Sequence, residues 1–195
     1  MKIFVGLIIL AAAVFLAVTV SHATLYTAQL LGSNENPVNA SPGTDFALVD
    51  IDTIAHTLSV MVNFGGLIGN TTASHIHCCV LPPGNAAVAT MTPTFIGFPL
   101  GVTSGAYNHL FDTTLVSTFN ASFITNHGGT VASAEAALAA GIAAGEAYFN
   151  IHTNVFPGGE IRGFLQPVPE PATMILLGSG LVGLAGYGRK KFFKK

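Results

Sequence analysis

Hydrophobic and polar positions alternate along most of this chain in short runs, a period of two that sends successive side chains to opposite faces of an extended strand. The cleanest run is TLSVMVNF, 57–64, with Leu58, Val60, Val62 and Phe64 on one side. Similar runs begin at Thr24 (TLYTAQLL), Thr44 (TDFALVDI), Ala73 (ASHIH), Ala86 (AAVATM), Gly105 (GAYNHLF), Ala147 (AYFNIH) and Glu160 (EIRGFL), separated by glycine-rich turns. Two stretches break the alternation. NASFITNHGG predicts a short helix capped by Asn120 and stopped at Gly128. SAEAALAAGIAAG predicts a second, with Ser133 as N-cap, Glu135 in its first turn and Gly145 at its end. About eight short strands with one or two inserted helices predict an all-β fold, an antiparallel Greek-key β-sandwich of immunoglobulin-like or superoxide-dismutase-like type.

Both ends depart from this pattern. Residues 1–23 combine Lys2, an apolar run over 3–20 and Ser21-His22-Ala23, the layout of a secretory signal peptide cut by signal peptidase after Ala23. At the other end Pro169-Glu170-Pro171 precedes an apolar segment, 172–188, of transmembrane length and a basic tail, 189–195, that the positive-inside rule holds in the cytoplasm. The order of proline-glutamate-proline, short span and basic tail resembles the PEP-CTERM sorting signal of Gram-negative bacteria. That resemblance implies a precursor held transiently in the inner membrane. An exosortase, a membrane-embedded cysteine protease, then releases it toward the cell surface or extracellular matrix. The expected organisation is therefore a leader over 1–23, one exported β domain over 24–166, and a sorting segment over 167–195.

Within 24–166 Arg162 is the only Lys or Arg, against eight carboxylates, a net of −7. Nucleic-acid binding needs a basic stripe to displace phosphate counterions, so that class is excluded. No nucleophile elbow, phosphate loop or His-Glu-x-x-His motif is present, and the expectation is a non-enzymatic binding or structural module.

The residues that carry chemistry are few. Alternation puts His75 and His77 on one strand face with Ile76 opposite, Asn150 and His152 together with Ile151 opposite, and Glu160 beside Arg162. A His-x-His strand with a third histidine from another strand suits Cu or Zn, which makes His75, His77 and His152 the candidate ligands. Asn150, Glu160 or Cys78 would supply a fourth ligand or an outer hydrogen bond. A transition-metal or redox metalloprotein is thus the alternative function. The competing arrangement has the imidazoles hydrogen-bonded to Glu160, loop carbonyls and one another. Arg162 is expected in a structural ion pair with Glu160, or with Asp50 from a neighbouring strand. Cys78 and Cys79 are the only cysteines. A vicinal disulfide, intermolecular pairing and metal-held thiolates are the three outcomes in an oxidising compartment.

The segments AQLLGSNENP, GGLIGNTTASHIH and AGEAYFNIHTNVFPGGEIRGFL stand in the order and spelling of the CHRD domain, and the likeness covers about 25–166. The resemblance implies an all-β extracellular module and supplies no enzyme mechanism. Cys78 and Cys79 depart from it, standing where many bacterial relatives have glycine and a small-residue loop.

Overall fold

The computed structural model describes residues 24–169 and 178–180. The expected leader, Glu170 and Pro171 of the sorting motif, and most of the expected 172–188 span lie outside the described residues. Among the described residues no helix is long and apolar enough to cross a membrane.

The fold is all-β, as expected. Strands β1 (Thr24–Leu31), β2 (Thr44–Asp52), β3 (Thr57–Phe64), β4 (Thr71–Cys78), β5 (Gly105–Asp112), β6 (Ala147–Thr153), β7 (Ile161–Phe164) and β8 (Gln166–Pro167) hydrogen-bond in one antiparallel sheet. The order is β4-β6-β7-β1-β2-β3-β5, with β8 alongside β1, and the sheet curls into a half-barrel. Two short helices, α1 (Ala121–Asn126) and α2 (Val131–Ala143), follow β5.

Alternation decides which face is buried. Leu30, Val49, Leu58, Val60, Ile76, Phe149, Ile151 and Ile161 line the inner, concave face and have no exposed surface. Burying a side chain of this size is worth about 1.5–3 kcal/mol, so register is fixed: a one-residue slip would turn the whole apolar set outward. Phe95 closes the curl. Its ring lies 5.2 Å from Phe111 and 6.1 Å from Tyr107, both on β5, and 6.1 Å from Phe149 on β6, bridging two ends of the sheet.

Three local expectations need correction. The run at 86–91 forms no strand. It lies along the free edge of β4, where the Ala89 N–H donates to the Ile76 carbonyl and only isolated bridges form, His77 to Val88 and Thr90 to Phe119. A covered edge cannot template pairing with another chain, and that is the work this segment does. Helix α1 is capped by Asn120 as expected, but α2 starts earlier than its alanine pattern suggests. Its N-cap is Thr130, and Ser133 is the third helical residue, completing a reciprocal capping box. Glu135 consequently falls beyond the first turn and is buried. Its carboxylate accepts from Thr113 Oγ1 and contacts His56 Nδ1 at 2.9 Å, tying α2 to the β2–β3 turn and the end of β5.

Candidate metal centre

On β4, β6 and β7 the outer face, opposite the core, carries the polar residues. Cross-strand register aligns His75 with Asn150 and Arg162 in one row, and His77 with Tyr148 and Phe164 in the next. His152 stands across from Ala73. A sheet surface would normally leave these groups wet, but the β1–β2 connection, the β6–β7 loop and the 82–93 segment fold over them. His75 and His77 are 6% and 7% exposed, and His152 is half-buried.

The three expected ligands converge. His75, His77 and His152 each offer a nitrogen, and those atoms all lie within 4.8 Å of one another. Each ring is anchored through its other nitrogen to a backbone carbonyl: His75 Nε2 to Pro93 at 2.6 Å, His77 Nδ1 to Ala86 at 2.9 Å, and His152 Nδ1 to Pro157 at 2.9 Å. A carbonyl can only accept, so those nitrogens carry the protons. The nitrogens left over, His75 Nδ1, His77 Nε2 and His152 Nε2, are bare. His75 Nδ1 is buried with no partner at all.

Electrostatics keeps them bare. Burial pushes the His75 and His77 imidazoles down to about 4, against the opposing pull of their carbonyl partners, and lowers His152 as well. At neutral pH no proton is available for the 3.4 Å gap between His77 Nε2 and His152 Nε2. Two imidazole lone pairs facing each other repel, and a cation between them relieves this. Zinc–imidazole bonds of about 2.0–2.1 Å put tetrahedral ligand nitrogens roughly 3.3–3.4 Å apart, the spacing this pair already has.

The other expected participants are placed elsewhere. Cys78 faces the core and is joined to Cys79 in a vicinal disulfide, so the first of the three cysteine outcomes is the one formed and Cys78 has no thiolate to give a metal. Both sulfurs press on Gly141 of α2, where any Cβ would collide with Cys78 Sγ. Glu160 does not pair with Arg162. Its carboxylate accepts from Ser41 Oγ, Thr153 Oγ1 and the N–H groups of Ile68 and Gly69. Burial works to raise this carboxyl, but the four hydrogen bonds outweigh it and hold it below its ordinary value. Glu160 sits before β7, just past Gly159 (φ 134°), so strand alternation does not reach back through the turn to align it with Arg162. Asn150 lies next to His75, yet its amide end packs on Gly159, where a Cβ would stand 2.5 Å from Nδ2 and 2.7 Å from Oδ1. Among the described residues the cluster therefore offers three ligand atoms.

Two residues at this face escaped the sequence reading. Tyr148 stacks on His77 at 4.8 Å with planes 5° apart, and the Arg162 guanidinium carbon lies 4.7 Å from the same ring centroid. Its place opposite His77 in the register was the available signal. Glu35 is the acidic neighbour Arg162 does have, at 3.7 Å, too long for a hydrogen bond. The guanidinium instead donates to the carbonyls of Asn34, Pro83 and Gly84 and to Asn85 Oδ1. Burial pushes Glu35 up to about 7 despite Arg162, and its Oε1 bonds to nothing. A partner 127 positions away leaves no local trace in the sequence.

No curated protein and no solved structure matches the chain. The PEP-CTERM protein-sorting motif matches residues 167–190, which makes this an exported protein of a Gram-negative bacterium, processed by an exosortase from a membrane-anchored precursor. The CHRD domain model matches residues 26–165, which hold strands β2 to β7, most of β1, both helices and the histidine cluster, and the chain belongs to the CHRD domain family.

Proposed function

We propose that this protein is an exported, non-catalytic module, delivered to the cell surface or extracellular matrix, that holds one transition-metal ion, Cu or Zn, on His75, His77 and His152. One observation carries the reading: the three imidazoles bring ligand nitrogens within 4.8 Å of one another while one nitrogen of each ring is committed to a backbone carbonyl. Outer hydrogen bonds of this kind are what fix the tautomer and aim of a metal-bound histidine. Of the competing arrangement, the bonds to loop carbonyls are formed and those to Glu160 are not, while the contact between His77 and His152 lacks a proton at neutral pH. Neutral nitrogen ligands with no carboxylate or thiolate among them favour Cu and Zn over Mg, Ca or Mn. An open fourth corner lets the site take a small ligand or a partner's side chain.

The test is electron paramagnetic resonance of the chain loaded with one equivalent of Cu(II). Splitting from three equivalent-class imidazole nitrogens, reduced in His77→Ala and His152→Ala, is the expected result. A spectrum of free or randomly bound copper, identical in the variants, refutes the reading.

A further inference from the structure

The same outer face carries a second feature, away from the histidines. A groove of about 500 Å³ runs beside β1, β2 and β7, between the loops at 33–38 and 82–83. Phe46, Phe164, Pro82 and Pro83 give it flat apolar walls, and Phe46 is 52% exposed. Thr27, Gln29, Ser33 and Gln166 also line it, and none of these side chains makes a hydrogen bond among the described residues. At one end lies Glu35, 5% exposed, with its unpartnered Oε1. Arg162 behind it is committed to its own acceptors, and among the described residues no cation lines the groove.

Each candidate ligand class meets these facts differently. An anionic ligand finds no base and a domain of net charge −7 around it. A wholly apolar ligand would strip water from four unpaired polar side chains, at a cost of about 1–3 kcal/mol each. A peptide strand needs a sheet edge for its backbone, and this groove lies on a sheet face. A neutral sugar satisfies both halves of the lining. Its C–H face packs on flat apolar rings while its hydroxyls exchange hydrogen bonds with amide and hydroxyl side chains. We propose that this groove is a binding site for a neutral oligosaccharide.

Affinity electrophoresis of the purified chain tests this, in native gels containing dextran, laminarin, hydroxyethyl cellulose or alginate, with and without EDTA. Phe46→Ala and Gln166→Ala are the variants, both at exposed positions whose loss leaves the thermal midpoint unchanged. The expected result is retardation by at least one neutral polysaccharide, weakened about tenfold in each variant and indifferent to EDTA. Retardation by alginate alone, no retardation by any neutral polymer, or retardation equal in wild type and both variants overturns the proposal. Loss with EDTA would move the contact to the histidine cluster and overturn it as well; with EDTA present, failure of the metal reading leaves this result untouched.

Discussion

His77 Nε2 and His152 Nε2 lie 3.4 Å apart with no proton to share, because each ring spends its one N–H on a loop carbonyl, Ala86 for His77 and Pro157 for His152. The register of β4 against β6 brings the strands together, and the loops choose the tautomers. Chemistry at this spot follows from backbone as much as from side chains.

Acid should unfold the metal-free protein through these rings. His75 and His77 sit at about 4 when folded, below the ordinary 6.5, because burial disfavours the imidazolium. Their contribution to stability is complete above pH 6.5 and is lost as pH falls from there through about 4, since the unfolded chain takes up protons the folded one refuses. The loss approaches on the order of 3 kcal/mol per ring. Urea midpoints measured from pH 8 to pH 4 in EDTA should show this slope, and His77→Gln should flatten it. A profile unchanged by that substitution would contradict the assignment.

Glu35→Gln should stabilise the protein at high pH. Burial raises this carboxyl to about 7, so its favourable protonated form is lost as pH rises from the ordinary 4.5 through 7, and above that a poorly paired buried carboxylate remains. Glutamine removes the charge. A gain of about 1–3 kcal/mol at pH 8, shrinking toward pH 5, is expected from denaturant titration.

Arg162→Met should cost about 3–5 kcal/mol, and Arg162→Lys nearly as much. The guanidinium is 1% exposed and its fork serves four oxygens at once. An ammonium cannot reach them in that geometry. Thermal unfolding of both variants measures it, and a Lys variant as stable as wild type would show the fork to be dispensable.

Gly141→Ala should destabilise although alanine favours helices by about 1 kcal/mol. The added methyl meets the Cys78–Cys79 sulfurs, and overpacking of this kind costs about 1–3 kcal/mol. In a Cys78→Ala, Cys79→Ala background the collision disappears, so the same substitution should become neutral or favourable. Equal effects in both backgrounds would mean that α2 does not rest on the disulfide.

How far the sequence carries can be read from particular residues. Period-two alternation locates β1 and β3 to the residue and puts His75, His77 and His152 on one face, because a buried inner row leaves the intervening positions no choice. It fails at Glu160, where the Gly159 turn resets the direction of side chains. It fails at 86–91, whose apolar pattern serves a covering segment and not a strand. Thr130 and Ser133 are both cap-type residues three apart, and only the Gly128-Gly129 turn before them decides which starts α2. The link from Arg162 to Glu35 spans strands far apart in the chain, and depends on the pairing of β7 with β1, which sets Arg162 opposite Leu31 and so beside the β1–β2 connection.

The proposed cation at the histidine cluster is tested most directly by inductively coupled plasma mass spectrometry. The chain is purified without chelator, equilibrated with equimolar Cu and Zn, and dialysed. Roughly one Cu or Zn per chain, falling below about 0.1 in the His77→Ala, His152→Ala double variant, is the predicted result. Substoichiometric metal in wild type, or the same content in the variant, would contradict it.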